Sequence, residues 1–344
     1  MRTNRLLLRA AATAGVVVLA VGVGALPASA RVASERTVSM PQPCFDPVAA
    51  GAAARGAANP RAADHRDITA AEQARIEART HAILAAKAAG RSNGKGKPGS
   101  GGGGGGGGTD PAGAAMDNIP VYVHQMLSSS GAGRVSSAQI DAQIAEMNQD
   151  YAGRDENGHT GKAVDSTAVA NTGVHFYLAG VDEYKNDTWH HDRSSTTYRA
   201  QTRLGGKKSL NIWLVDFKYL GIATFPWDYA SNPSIDGIRV QWDSLPGGDI
   251  ANYDLGKTAT HEAGHWLGLY HTFQGGCTST NDEVEDTPAQ SSATTGCPEG
   301  NDTCTLAGLD PIHNYMDYSY DQCYDEFTPD QSTRISDYWT AYRQ

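Results

Sequence analysis

Three histidines and one glutamate crowd a single short stretch, His261-Glu262-Ala263-Gly264-His265-Trp266-Leu267-Gly268-Leu269-Tyr270-His271. On a helix His261 and His265 stand one turn apart, so both imidazoles leave the same face. Such a pair offers zinc two nitrogen ligands, and Glu262 beside them can act on an attacking water as general base. Gly268 falls where the helix must stop, because a left-handed cap costs glycine little. The chain then turns back and brings in His271 as a third ligand. Three protein ligands leave a fourth position open, which separates a catalytic zinc site from a closed structural one. Five fixed positions at set spacing outweigh the bland alternative, a buried helix whose histidines only satisfy core hydrogen bonds.

Two further groups of residues follow the motif. Asp282, Glu283, Glu285 and Asp286 put four carboxylates into five positions. In an exported protein they either hold calcium through oxygen ligands, with Asp282 and Asp286 as candidates, or form a solvated acidic turn; the spacing is not that of an EF-hand. Cys277, Cys297, Cys304 and Cys323 cluster in the same half of the chain. In an oxidising compartment they predict two disulfides, with three pairings open on spacing alone. Cys44 is then the odd cysteine. A free thiol ahead of a zinc enzyme can ligate the metal as thiolate and exclude the catalytic water, so Cys44 is a candidate latency switch. The pair His190-His191 followed by Asp192 also suggests a metal site. Residues 187–203 show no apolar period, however, and read as a solvated polar loop.

These side chains need a scaffold. Residues 119–124, 174–181, 210–215 and 238–242 are β-branched and aromatic runs bounded by turn residues, hence strands. Residues 221–226 are shorter and end in proline, as an edge strand would. Such an edge beside a metal site could receive an extended peptide through backbone hydrogen bonds. Ser136 with Gln139 forms a capping box, followed by Ile140, Ile144, Met147 and Tyr151 at helical spacing. The pattern predicts an α/β (α+β) domain: a mixed, twisted sheet, an active-site helix, and a loop-rich C-terminal subdomain held by disulfides. Residues 117–344 are enough for one well-buried domain.

The N-terminal third has a different character. Arg2, Arg5 and Arg9 precede an apolar run, and Ala28-Ser29-Ala30 closes residues 1–30 with a signal-peptidase pattern. Residues 31–98 read as a prosegment, with a helix over 69–87 begun by a capping box of Thr69 and Glu72. That helix is marginal without something to pack on. Residues 99–116 are a glycine-rich linker open to proteolysis. Residues 1–116 carry a formal charge of +7 and residues 117–344 one of −17, within a total of −10. The acidic part argues against nucleic acid as partner. The basic leader suits a segment covering an acidic cleft, though solvated charge explains it nearly as well.

The extended histidine motif resembles that of the metzincin metallopeptidases. The residues around it resemble the pappalysin family within them, in its smaller secreted microbial members. Tyr253-Asp254-Leu255-Gly256-Lys257-Thr258-Ala259-Thr260 leads into the motif and Thr272-Phe273 follows it. Asp286-Thr287-Pro288, Asn314-Tyr315-Met316-Asp317-Tyr318 and Phe327-Thr328-Pro329-Asp330-Gln331 extend the likeness, which covers about 119–344. The resemblance implies Met316 as an apolar floor beneath the histidines and Tyr318 as a donor to the developing oxyanion. It pairs Cys277 with Cys304 and Cys297 with Cys323. It also implies calcium near the acidic loop and, in several members, a preference for basic side chains, for which Asp321, Asp325 and Glu326 offer charge. The expected activity is zinc-dependent endopeptidase cleavage of protein or peptide substrates, by a secreted monomer with no membrane attachment once its leader is removed. The alternative is a secreted zinc-containing binding module without turnover; the intact Glu262 counts against it.

Overall fold

A computed structural model describes residues 68–93, 116–154 and 169–344. The expected signal peptide, Cys44 and all of the glycine-rich linker except Met116 lie outside the described residues. Met116 itself is buried in the main core, so the domain takes in the last residue assigned to the linker.

Five strands form one mixed sheet in the order β2-β1-β3-β5-β4: β1 (Ile119–Leu127), β2 (Phe176–Lys185), β3 (Leu210–Val215), β4 (Gly221–Ala223) and β5 (Ile238–Gln241). β1 runs parallel to β2 and β3, and β3 parallel to β5, while β4 is antiparallel to β5 and lies at the edge. Every residue of β3 and β5 is buried, whereas β2 buries Phe176 alone and then alternates exposed with half-buried positions, as its place at the other edge requires. Parallel β1 and β2 need a crossover, supplied by helix α2 (Ser137–Tyr151). The capping box of Ser136 and Gln139 forms as expected, and Ile140, Ile144, Met147 and Tyr151 face the core.

The N-terminal helix α1 (Ala70–Asn93) finds the packing it lacks alone. Ile68 and Ile76 join Trp227, Tyr270 and Tyr338 in an apolar cluster. Glu77 accepts from both terminal nitrogens of Arg334, at 3.1 and 2.7 Å, and from the Tyr338 hydroxyl at 2.7 Å. Gln73 donates to the Asn281 carbonyl at 3.1 Å, so the helix also touches the acidic loop.

Residues 187–203 depart from the polar loop expected of them. They form two short helices, α3 (Asp187–His190) and α4 (Ser195–Thr202). Asn186 caps α3 by accepting from the Thr188 and Trp189 amides. Their buried face is largely polar (His190, Tyr198, Arg199 and Thr202), so no apolar period marked it. Arg199 is satisfied by the Ile235 carbonyl at 2.8 Å.

Helix α5 (Lys257–Leu267) is buried along its whole length between the sheet and α2. Beyond it, residues 268–328 hold few regular elements and are fastened instead by two disulfides, Cys277–Cys304 and Cys297–Cys323, the pairing the resemblance implied. Helix α6 (Pro329–Tyr338), opened by a second capping box of Thr328 and Gln331, runs on into a π-helical turn over Trp339–Arg343.

Candidate metal centre

Gly268 ends α5 with φ 114° and ψ 9°, and its amide reaches the Gly264 and His265 carbonyls at 3.0 Å each. A side chain there would meet the Tyr338 ring at 2.7 Å, so both conformation and space call for glycine. The reversal brings His271 back to the helix. His265 Nε2 lies 3.1 Å from His261 Nε2 and 3.0 Å from His271 Nε2.

The outer nitrogens fix the inner ones. His261 Nδ1 lies 2.6 Å from the Tyr315 carbonyl, and His265 Nδ1 lies 2.9 Å from the Leu269 carbonyl. A carbonyl only accepts, so each Nδ1 carries the proton and each Nε2 presents its lone pair inward. Burial, more than the neighbouring imidazole His265, holds His261 and His271 well below the ordinary histidine range, and burial brings His265 down to about 4. Neutral imidazoles with converging lone pairs are the donor set that a zinc ion needs.

The walls are aromatic and tight. Phe273 stacks on His271 at 4.7 Å between centroids, and Tyr318 sets its ring edge-on to His271 at 4.9 Å and 5.7 Å from His261. Met316 is fully buried under the helix; a Cβ on Gly264 would fall 2.5 Å from its Sδ. Glu262 is buried, and a Cβ on Gly221 of β4 would fall 2.4 Å from its Oε1. Leu220, Tyr253, Thr258, His261, Tyr318 and Asp321 line a recess beside the histidines. Burial raises the Asp321 carboxyl to about 7 against the pull of the Leu255 amide, which it accepts at 2.9 Å. Lys257 also borders the recess, but its charge is spent on Glu146 at 2.6 Å and Asp150 at 2.7 Å. Asp325 and Glu326 are buried and do not line that recess.

In the acidic loop, Asp282 Oδ1 accepts from the Thr287 hydroxyl at 2.6 Å and the Val284 amide at 3.2 Å. Its Oδ2 and the Asp286 Oδ1 are buried with no hydrogen-bond partner among the described residues. Burial raises the Asp282 carboxyl to about 8.

Sequence reasoning missed two contributors. Gly221, singled out only as part of an edge strand, gives Glu262 its room. Asp150 anchors the back of α5, holding Lys257, the Thr260 hydroxyl at 2.5 Å and the Tyr315 hydroxyl at 3.0 Å. The available signal was Lys257 in the first turn of a helix, where a cation opposes the helix dipole and calls for an acidic partner.

Known proteins resemble this chain. A family model described as pregnancy-associated plasma protein-A matches residues 207–339. An extracellular metalloprotease of Sordaria macrospora is 44% identical over 234 residues, spanning 66% of this chain and 76% of that protein. One of Verticillium alfalfae is 44% identical over 237 residues, with 66% and 77% covered. Mature mirolysin of Tannerella forsythia, solved in complex with a cleaved peptide, superposes with a TM-score of 0.57 at 29% identity, covering 63% of this chain and 89% of that one. The chain belongs to the pappalysin family of metzincins and is a metallopeptidase.

Proposed function

We propose that this protein is a secreted zinc endopeptidase made as a latent precursor, with His261, His265 and His271 as the zinc ligands. The observation that carries this reading is the meeting of three imidazole Nε2 atoms, two of them with Nδ1 tied to backbone carbonyls. When bound, zinc supplies Lewis acidity to the scissile carbonyl and to the attacking water. Glu262 takes the proton from that water and hands it to the leaving amine. Tyr318 donates its hydroxyl to the oxyanion of the tetrahedral intermediate. Met316 packs beneath the histidines and keeps water from their lower side. Burial by Phe273 and Tyr318 lowers the local dielectric, which strengthens each of these interactions.

Asp321 gives the recess beside His261 a carboxylate and suits a basic side chain of the substrate. The buried Asp282 and Asp286 oxygens without partners favour calcium over a merely solvated acidic turn. Secretion rests on the leader pattern of residues 1–30, two disulfides, and relatives named extracellular metalloproteases. No described helix is long and apolar enough to cross a membrane.

Glu262→Gln is the decisive variant: zinc content should match the wild type while peptide cleavage disappears. Cleavage at the wild-type rate would remove Glu262 from the mechanism. A binding module without turnover would give no clearing in casein zymography, and clearing that persists under a chelator would reject zinc catalysis. For latency, the Cys44→Ala precursor should cleave substrate before any processing; a variant precursor as silent as the wild type would show that inhibition does not use the thiol.

A further inference from the structure

We propose that His190, His191 and Asp216 form a second metal site, separate from the catalytic histidines, for a divalent transition-metal ion such as zinc. The sequence pointed to Asp192 as the carboxylate beside these histidines. Asp192 turns away with φ 55° and is engaged by Arg239 and by the Tyr198 hydroxyl. Asp216, one residue past β3, takes its place. Its Oδ2 lies 3.7 Å from His190 Nε2 and 3.2 Å from His191 Nδ1, and all three donor atoms fall within 4.8 Å of one another.

The surroundings orient these donors as ligands are oriented. His190 Nδ1 lies 2.7 Å from the Met126 carbonyl, which only accepts, so Nδ1 carries the proton and Nε2 faces Asp216. At 3.7 Å that approach is too long for a hydrogen bond. Two ligands of one tetrahedral zinc, each about 2.0–2.1 Å from it, stand roughly 3.3–3.4 Å apart, so the spacing suits a shared ion. The His190 ring packs closely over Gly133, where a Cβ would fall 2.7 Å from its Cε1. Asp216 is held in turn, its Oδ1 accepting from Gln241 Nε2 at 3.3 Å and its amide donating to the His190 carbonyl at 2.7 Å.

Two buried partners therefore fix one imidazole and one carboxylate, while His191 and Asp216 remain 43% and 42% exposed and open to an ion from solution. Two imidazoles and one carboxylate form a borderline donor set, suited to zinc, copper or nickel rather than to calcium or magnesium. An ion there would bolt α3 to the C-terminal ends of β1 and β3. The chain leaves that bolt through Phe217 to reach Leu220, in the wall of the catalytic recess, and Gly221 beside Glu262.

The test uses the full chain and zinc alone, counting bound zinc by elemental mass spectrometry after equilibration and gel filtration. His265→Ala disables the first cluster, so the second is read independently of the proposed catalytic function. The His265→Ala protein should retain one zinc, and adding either His191→Ala or Asp216→Asn should remove it. In the otherwise wild-type chain, His191→Ala should lower the count from two to one, and after removal of the prosegment its peptidase activity at saturating substrate should be unchanged. Both substituted side chains are exposed, and an unchanged thermal midpoint in metal-free buffer will verify that the fold is intact. Equal zinc content with and without His191 and the Asp216 carboxylate in the His265→Ala background overturns the proposal.

Discussion

Gly221→Ala should cripple the enzyme without touching any of the three clustered histidines. A Cβ at this position would lie 2.4 Å from both Cγ and Oε1 of Glu262 and 2.6 Å from its Cδ. Ordinary contact begins near 3.4 Å, so the carboxylate or the strand must shift by roughly 1 Å. The strand resists, because Gly221 pairs with Val240 of the buried β5. The shift therefore falls on the carboxylate proposed to move the proton. Misplacing a reacting group by that distance lowers the rate on the order of 100-fold, equivalent to about 2.7 kcal/mol of barrier. Steady-state cleavage of a fluorogenic peptide should show the loss in kcat, with KM little changed and one catalytic zinc retained. In a Glu262→Gln background the same glycine change should cost nothing further, since the group it displaces no longer acts. Activity within about 3-fold of wild type would refute the idea that Glu262 works from this position against β4. Loss of zinc along with activity would refute it too, by showing that the damage is not confined to the carboxylate.

Two other outcomes concern stability. Glu77→Ala would leave the Arg334 guanidinium buried without its carboxylate and should cost about 3–5 kcal/mol in urea unfolding of the unprocessed chain; a loss below about 1 kcal/mol would mean that α1 is not a structural partner of the domain. Burial raises the Asp150 carboxyl from its ordinary 3.8 to about 6, so across that interval the folded chain keeps a proton the unfolded chain has released. Its contribution to stability is then largest below pH 4 and falls by about 3 kcal/mol as the pH climbs to 6; Asp150→Asn should flatten that slope, and an unchanged slope would place the titration elsewhere.

What could be read from the sequence depended on how far apart in the chain the interacting groups lie. The three histidines and Glu262 occupy one helix and its return, so local spacing sufficed. The same holds for both partners of the Ser136–Gln139 capping box and for the β-branched runs of β1, β3 and β5. Contacts between distant segments left little local trace. Nothing near His190 names Asp216 rather than Asp192, because the choice is made by a positive φ and by Arg239 on another strand. Nothing near Glu262 names Gly221. Helices α3 and α4 escaped because tertiary hydrogen bonds satisfy a polar buried face, which periodicity in hydrophobicity does not detect.

The most distant of these contacts bear on the metal centre itself. His261 is oriented by the Tyr315 carbonyl, and Tyr315 is held at both ends, its amide by the Glu326 carbonyl at 3.0 Å and its hydroxyl by Asp150. The turn that follows is set by Asn314, whose side chain accepts the Met316 amide at 3.0 Å. That side chain also exchanges two hydrogen bonds with Gln331, at 2.9 and 3.0 Å. Gln331 in turn closes the capping box of α6. A buried polar chain thus runs from the last helix to the first histidine, each member satisfied by the next. It gives the methionine turn a positional role as well as an apolar one: Met316 fills the space under Gly264, while the turn that carries it delivers the carbonyl that fixes the His261 tautomer. Loss of a member far from the histidines, such as Gln331, would therefore act on the centre through the direction of His261 Nε2, even though every ligand remained present.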